Sequence, residues 1–276
     1  MQYTEKDLKH LHSILYEILE EINRICVKYD IKYFLIGGSA IGLYYDKGIL
    51  PWDDDLDIGM TRENYNKFIS IAQNELKPEY FLSCVETDVH TPFFYSKIKM
   101  NGTLFVEEWY KDVPMHQGIF VDIFPYDRVP DNKILRNMQY KAANFLKCCM
   151  MSKEVWLWSS FGHCQIREPL PRSKFSSLIN CLINKLFSKQ FIYRLNIFVQ
   201  TLFNKSKTEY YNLVVAKINY VESCDITDVV PVEFGPIKTF VLKEWVKNLH
   251  YNYPTLHRHT QDEQCNHAPL KLSFNE

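Results

Sequence analysis

The 276-residue sequence has no surplus of positive charge and no long apolar run. Its 32 lysines and arginines are balanced by 33 aspartates and glutamates, which leaves a formal net charge of −1. Proteins that bind DNA or RNA usually carry a basic surplus, so nucleic acid is not an expected partner and a small-molecule substrate is favoured. No segment reaches the eighteen or so apolar residues of a membrane-spanning helix. We therefore expect a soluble or peripheral protein.

The sequence also lacks the tight cysteine spacing of a disulfide framework. It contains eight cysteines without any Cys-x-x-Cys pair, at positions 26, 84, 148, 149, 164, 181, 224 and 265. Its first residues, Met1–Asp7, do not have the charged and apolar layout of a secretory signal. These features predict reduced thiols in a cytoplasmic protein. A zinc site formed by Cys148, Cys149, His163 and Cys164 is the alternative for part of this set.

What the sequence does contain is a dense run of acids, with four aspartates in the five positions of Asp53–Asp57. Each pair of unit charges about 4 Å apart repels by about 1 kcal/mol in water and by several times more near a protein surface. A divalent cation would relieve this repulsion. A solvated acidic loop is the alternative, although the flanking Pro51-Trp52 and Ile58–Met60 are typical of structured chain. The glutamate-terminated pattern of a calcium-binding loop is absent.

Asp55 and Asp57 are the members of this run that have strand spacing. Polar and apolar residues alternate over Asp55–Ile58, and residues two apart on a strand point to the same face. Carboxylates placed in this way suit Mg2+ or Mn2+, which keep part of their water shell and are completed by substrate phosphates. We therefore predict that Asp55 and Asp57 are metal ligands and that the substrate carries phosphate.

A glycine-rich turn precedes the acidic run by about one helix. Tyr33–Ile36 is typical of a short buried strand, and Gly37-Gly38-Ser39 opens a helical segment, Ala40–Tyr45. The N-terminus of a helix offers unpaired amide groups to an anion, and glycine lets the anion approach closely. The turn alone is weak evidence. Followed by a strand with two carboxylates, it predicts that Gly37, Gly38 and Ser39 hold a substrate phosphate.

A further carboxylate, Asp122, interrupts the apolar segment Gly118–Pro125. Burying an unpaired carboxylate costs several kcal/mol, so Asp122 is either ion-paired or bound to metal. A structural arginine or backbone amides would satisfy it in the first case. In the second case it lies beside Asp55 and Asp57 and completes a three-carboxylate site. There it either ligates a second ion or accepts the proton of the attacking hydroxyl.

Residues 37–60, together with Gly118–Pro125 and Val129-Pro130, resemble the LicD family, and the similarity extends through Thr61–Tyr65 and Ser96–Lys99. LicD proteins are similar to the fukutin group and have a nucleotidyltransferase-like fold. The resemblance implies Mg2+-dependent transfer of a phospho-alcohol, either phosphocholine or a polyol phosphate, to a hydroxyl of a cell-surface glycan. The implied donors are CDP-choline, CDP-ribitol or CDP-glycerol, and the released nucleotide is CMP.

The resemblance also implies three cationic phosphate contacts, Lys47, Arg62 and Lys97. Lys97 shares one strand face with Lys99, so a solvated basic strand face is the alternative for this pair. Tyr45 stands where the family commonly has an arginine, which removes one expected phosphate contact.

Two other functions remain open from the sequence. A nucleotidyltransferase that attacks the phosphate next to the nucleoside, and releases pyrophosphate, would use the same metal ions. A catalytically silent protein that binds glycan or nucleotide would keep the fold. Such a protein would have no need to retain Asp55, Asp57 and Asp122, which repel one another.

The apolar periodicity predicts an α/β (α+β) fold for residues 1–130, with a mixed sheet and flanking helices. The resemblance implies that this sheet is nucleotidyltransferase-like. Helices are predicted over Thr4–Tyr29 and Arg62–Leu76. Strands are predicted over Tyr80–Val85, Phe93–Met100 and Thr103–Glu107, the last two joined in a hairpin by the turn Asn101-Gly102.

Residues 131–276 predict a mainly helical extension packed on this core, with helices over Asn132–Lys153, Phe175–Phe203 and Lys207–Val221. Residues 172–207 carry seven basic and no acidic side chains beside an apolar stripe. That pattern is typical of a core helix with a solvated face or of a membrane-surface helix. A lipid-linked glycan acceptor would lie at an anionic leaflet, so residues 172–207 are a candidate for peripheral membrane contact. The last fifteen residues are expected to be loosely ordered.

Overall fold

The structure is a computed structural model that describes residues 3–158, 182, 185–216, 218–260 and 266–275. The described helices are α1 Glu5–Lys28, α2 Gly37–Asp46, α3 Arg62–Glu75, α4 Lys133–Trp158, α5 Lys189–Thr201 and α6 Trp245–Asn252. The first six strands are β1 Phe34–Leu35, β2 Asp57–Thr61, β3 Tyr80–Ser83, β4 Ser96–Met100, β5 Leu104–Val106 and β6 Phe120–Val129. The strands that follow are β7 Tyr210–Leu213, β8 Ile218–Glu222, β9 Val229–Phe234, β10 Ile237–Leu242 and β11 Lys271–Ser273.

The main sheet is mixed and runs in the order β1-β2-β6-β4-β3. Its only parallel ladder within that order joins β2 to β6, and the other neighbours are antiparallel. Strand β6 is ten residues long and continues past this sheet to pair with β7, which in turn pairs with β8. A mixed sheet with helices packed on it confirms the predicted α+β fold class.

Helix α1 supplies one wall of the core. It begins with a capping box, in which the Thr4 hydroxyl accepts from the Asp7 amide and the Asp7 carboxylate accepts from the Thr4 amide. The apolar stripe of this predicted helix is buried against the sheet from Leu11 to Ile25, and Leu15, Ile18 and Ile22 are fully buried. Full burial of each such side chain contributes about 1.5–3 kcal/mol. This helix therefore packs against and stabilises the sheet that carries the candidate site.

The predicted hairpin at Asn101-Gly102 is wrong. The chain does turn there, and Gly102 has a φ of +72°, which glycine adopts without strain. Strand β4 is already paired on both edges, with β3 and β6, so it has no free edge for β5. Strand β5 pairs instead with β11 from the C-terminus. The expectation of a loosely ordered C-terminal end is therefore wrong for the residues in β11.

The predicted helix over Lys207–Val221 is also wrong, because this segment forms β7 and β8. Its aromatic and β-branched residues favour extended chain, and the second half of β6 offers a free edge to pair with. The division at residue 130 stays a prediction. The described part of residues 131–276 combines helices α4 to α6 with strands β7 to β11. No helix among the described residues has the length and apolar content needed to cross a membrane.

Candidate active site

Three charged side chains lie abreast on adjacent strands. Asp57 is opposite Asp122 in the parallel ladder between β2 and β6, and Asp122 is opposite Lys97 in the antiparallel ladder between β6 and β4. Neighbouring strands are about 4.8 Å apart, so the register alone brings these groups into one row. Asp55 lies two residues before Asp57, and the charge of Asp122 acts directly on it. The structure thus brings together the three carboxylates that were predicted from the sequence.

The glycine turn packs directly on these acids. Helix α2 begins at Gly37, and the Ser39 hydroxyl accepts a hydrogen bond of 2.8 Å from the Asp57 amide. Gly37 has a φ of +55°, and a Cβ atom there would lie 3.3 Å from Asp57 Oδ2. A Cβ atom on Gly38 would lie only 2.9 Å from Asp53 Oδ2. Larger residues at either glycine would therefore push on the carboxylates. The N-terminus of α2 faces the acidic cluster, where its amide groups are available to an anion.

Burial and mutual repulsion disfavour the charged forms of these acids. Burial raises the pKa of Asp57 well above its usual value, and the charges of Asp55 and Asp122 raise it further. Burial likewise raises the pKa of Asp55, and the charge of Asp122 adds to the effect. Burial, followed by the charges of Asp55 and Asp54, raises the pKa of Asp53 to about 8. A cluster of this kind needs added positive charge to be fully ionised near neutral pH.

Lys97 supplies part of that charge. Its Nζ lies 2.8 Å from Asp122 Oδ1 and 3.1 Å from Asp122 Oδ2, and the side chain is only 4% exposed. Three aromatic rings surround the ammonium group, with Nζ 3.3 Å from the Phe120 centroid, 4.8 Å from that of Phe93 and 5.6 Å from that of Tyr95. The alternative of a solvated strand face is therefore wrong. Burial raises the pKa of Asp122, and the charge of Lys97 offsets part of this increase.

Lys99 does not join the cluster, although it lies on the same strand face as Lys97. It is buried, and its Nζ donates to the backbone oxygen of His116. Burial, and next the charge of Lys97, lowers the pKa of Lys99 to about 7. Lys99 therefore makes a structural contact with the backbone and does not contact the acidic cluster.

The cluster fits a divalent cation. Asp122 Oδ1 is buried and has no aligned hydrogen bond, because the Lys97 contact has hydrogen-bond geometry only at Oδ2. One ammonium group does not balance the carboxylates of Asp55, Asp57 and Asp122. Carboxylate oxygens are hard ligands, and hard ligands suit Mg2+ or Mn2+. The donor set therefore matches the predicted metal ions, which stay a proposal.

A second carboxylate arrangement next to this cluster was missed by sequence reasoning. Asp54 is buried, and it accepts hydrogen bonds from Tyr3, from the amides of His267 and Ala268, and from the His267 ring. The hydrogen bond to Asp54 raises the pKa of His267 to about 10. The His267 ring also lies 3.7 Å from Asp55. Asp54, Asp55 and His267 could together offer ligand atoms to a metal ion.

No local signal predicts this contact. His267 is 213 positions from Asp54, and the sequence shows only that several histidines lie near the C-terminus. The proposed zinc residues His163 and Cys164 lie outside the described residues. Among the described cysteines, Cys148 is a free thiol and Cys149 is buried.

Two predicted phosphate contacts lie away from the cluster. Arg62 follows the far end of β2, about 16 Å along the strand from Asp57, and it is buried in a bidentate ion pair with Asp127. Lys47 is exposed at the C-terminal end of α2, about one helix length from the glycine turn. Its Nζ lies 3.5 Å from the backbone oxygen of Tyr44. The structure does not bring either residue together with the carboxylates.

Comparisons with known proteins agree with this arrangement. Residues 30–155 match the family model described as LicD/FKTN/FKRP, nucleotidyltransferase domain. The chain is 27% identical over 249 residues to the lipopolysaccharide cholinephosphotransferase LicD of Haemophilus influenzae, which spans 88% of this chain and 81% of the relative. It is also 27% identical over 130 residues to an uncharacterized protein of Rickettsia typhi, across 47% of this chain and 40% of the relative.

The mixed sheet and its row of carboxylates, with the matched domain, define a transferase built on a nucleotidyltransferase-like domain. More narrowly, residues 30–155 match the LicD family model, and the relative from H. influenzae matches 88% of the chain. The resemblance predicted from the sequence is therefore confirmed for this part of the chain.

Proposed function

We propose that the protein transfers a phospho-alcohol from a CDP-linked donor to a hydroxyl of a cell-surface glycan, with Mg2+ as cofactor and CMP as the released nucleotide. The transferred group is phosphocholine or a polyol phosphate. The observation that carries this proposal is the register that sets Asp57 opposite Asp122 beside the N-terminus of α2. The relative from H. influenzae acts on lipopolysaccharide as a cholinephosphotransferase, which supports the same reaction class here.

Asp55, Asp57 and Asp122 would hold the cation, Mg2+ or Mn2+. When bound, such an ion offsets the charge of a pyrophosphate and polarises its phosphorus–oxygen bonds. The amide groups at Gly37, Gly38 and Ser39 face the same space and would orient the donor phosphates.

Lys97 holds Asp122 in place through contacts to both carboxylate oxygens and adds fixed positive charge to the site. That charge would stabilise a transferring phosphoryl group.

The donor would be CDP-choline, CDP-ribitol or CDP-glycerol, and the acceptor a glycan that is lipid-linked. We further propose a cytoplasmic location, supported by eight cysteines without a paired spacing.

The test is the nucleotide released when purified protein is incubated with Mg2+, each CDP-alcohol and lipopolysaccharide. The proposal predicts CMP from one donor, and a loss of at least about a hundredfold in Asp57→Asn. Asp228→Asn is the matched control, because this exposed aspartate pairs with Lys243 at the surface, and it should release CMP at the wild-type rate. Pyrophosphate formed from CTP and a phosphorylated alcohol, without CMP from any donor, would favour a nucleotidyltransferase instead.

A further inference from the structure

We propose that helices α4 and α5 together form a docking face for an anionic lipid bilayer. This inference goes beyond the proposed function and does not depend on it. It also differs from the surface predicted from the sequence, which involved residues 172–207 alone. Of that segment, residues 172–181, 183 and 184 lie outside the described residues, whereas α4 contributes half of the face proposed here.

Helices α4 and α5 are packed side by side and antiparallel. The Gln139 side chain donates to the backbone oxygens of Val199 and Gln200, and the Asn196 side chain donates to the oxygen of Ala143. As residue numbers increase along α4, the numbers of the residues that they contact on α5 decrease. Farther along, Lys189 at the start of α5 pairs with Glu154 near the end of α4, at 3.0 Å. This contact line fixes which way every other residue of the two helices points.

Each helix exposes an apolar stripe beside the contact line. The stripe of α4 consists of Leu135, Met138 and Phe145, which are 47%, 61% and 48% exposed. The stripe of α5 consists of Phe191, Leu195 and Phe198, which are 49%, 38% and 61% exposed. At about 100° per residue, the α4 stripe lies about 40–120° from Gln139 and the α5 stripe about 100–160° from Asn196, in the same rotational sense. Because the helices are antiparallel, both stripes fall on one side of the pair.

The charge of this region complements an anionic surface. The described residues 133–158 and 185–207 contain 10 of the chain's 32 lysines and arginines and only 1 of its 33 aspartates and glutamates. That acid, Glu154, is buried and paired with Lys189. Lys141 and Arg194 are exposed next to the apolar stripes, one on each helix. Apolar and aromatic side chains bordered by basic ones are the composition of helices that lie in the interface of an anionic membrane.

A bilayer fits this face better than a second copy of the chain does. Two copies meeting at the same face would bring two strongly basic segments together, and like charges across an interface oppose association. An anionic lipid surface attracts these basic side chains and accepts the exposed phenylalanines at the same time.

The test is co-sedimentation of the full-length protein with vesicles of phosphatidylcholine alone, or of phosphatidylcholine with about 30% phosphatidylglycerol, without donor or added metal. The proposal predicts binding to the anionic vesicles that is at least about tenfold stronger than to the neutral ones. The double variant Phe191→Ser/Phe198→Ser should bind about tenfold more weakly, and so should Lys141→Glu/Arg194→Glu. These four side chains are exposed, so circular dichroism should show wild-type folding.

The matched control is Val27→Ser/Val246→Ser, which removes two side chains that are 63% and 39% exposed but lie on α1 and α6. It should bind vesicles like the wild-type protein. Equal binding of wild-type protein to neutral and anionic vesicles would overturn the proposal. So would unchanged binding of the phenylalanine variant, or light scattering that shows a dimer abolished by that variant without any vesicle binding.

Discussion

At the residue scale, burial and mutual repulsion raise the pKa values of Asp53, Asp55 and Asp57. Burial is the largest cause of the raised pKa in all three. An acid whose pKa is higher in the folded than in the unfolded state stabilises the fold less as it ionises. For Asp53 the window runs from its ordinary 3.8 to about 8. Stability of the metal-free protein should therefore fall as pH rises through this window.

The first prediction concerns this pH dependence. In EDTA the midpoint of thermal unfolding should fall between pH 5 and pH 8, and Asp53→Asn should reduce the fall by a few degrees, since about 1 kcal/mol corresponds to about 2–4 °C for a chain of this size. Added Mg2+ should raise the midpoint more at pH 8 than at pH 5, because it binds the ionised acids. Differential scanning fluorimetry measures both effects. A midpoint in EDTA that falls equally in wild type and Asp53→Asn would contradict this account of the cluster.

The second prediction concerns Arg62, whose buried ion pair with Asp127 also includes Gln200. Arg62→Ala leaves Asp127 buried without its charged partner and should lower the free energy of unfolding by about 3–5 kcal/mol. The paired replacement Arg62→Met/Asp127→Leu removes both charges and should recover most of this loss. Urea unfolding measures the stability. If the double variant is stable but its KM for the donor is raised more than about tenfold, the result would instead support the phosphate contact expected from the family resemblance.

At the scale of elements, two contacts hold the C-terminal segment next to the acidic run. Strand β11 pairs with β5, and just before it the His267 amide and ring bond to Asp54. Asp54 is the neighbour of Asp53 and Asp55, so this contact orders the acidic run itself. Burial alone would raise the pKa of Asp54, but the hydrogen bonds from His267 and Tyr3 hold it below its usual value.

The third prediction tests this segment through His267→Ala. The substitution should lower the free energy of unfolding by about 1–2 kcal/mol near pH 6, since one charge-assisted hydrogen bond to Asp54 is lost at a half-exposed ring. The pKa of His267 is raised to about 10, so its contribution is fully present below 6.5 and is lost as pH rises to 10. His259→Ala removes an exposed histidine of the same region and should change little. A loss that grows between pH 6.5 and pH 10 would rule out the Asp54 pair as its cause.

Local patterns predicted some elements correctly and misassigned others for one physical reason. The stripe of α1 and the helix that starts at Arg62 depend on contacts within a few residues, so their sequences are sufficient. Pairing of β5 with β11, and of β7 with β6, depends on which strand edges are free after the rest of the sheet has formed. A segment such as Tyr210–Leu213 cannot show this by itself.

The same distinction applies to the site at the scale of the whole molecule. Asp55 and Asp57 were predictable from their spacing, and Asp122 from its isolation in an apolar strand. The partners of Asp54 and Arg62 were not predictable, because His267 and Asp127 are 213 and 65 positions away from them. Strand β6 carries Asp127 and pairs with β2, β4 and β7, whereas His267 lies just before β11, which pairs with β5.

The fourth prediction, and the most direct test of the site, is binding of Mn2+ measured by electron paramagnetic resonance. Wild-type protein should bind Mn2+, and Mg2+ should compete for the same site. Asp57→Asn and Asp122→Asn should each weaken the affinity by at least about tenfold, because each removes one charged oxygen ligand. The surface control Asp228→Asn should bind like the wild type. Variants at Asp57 and Asp122 that bind Mn2+ as tightly as the wild-type protein would contradict a metal site at the Asp57–Asp122 register.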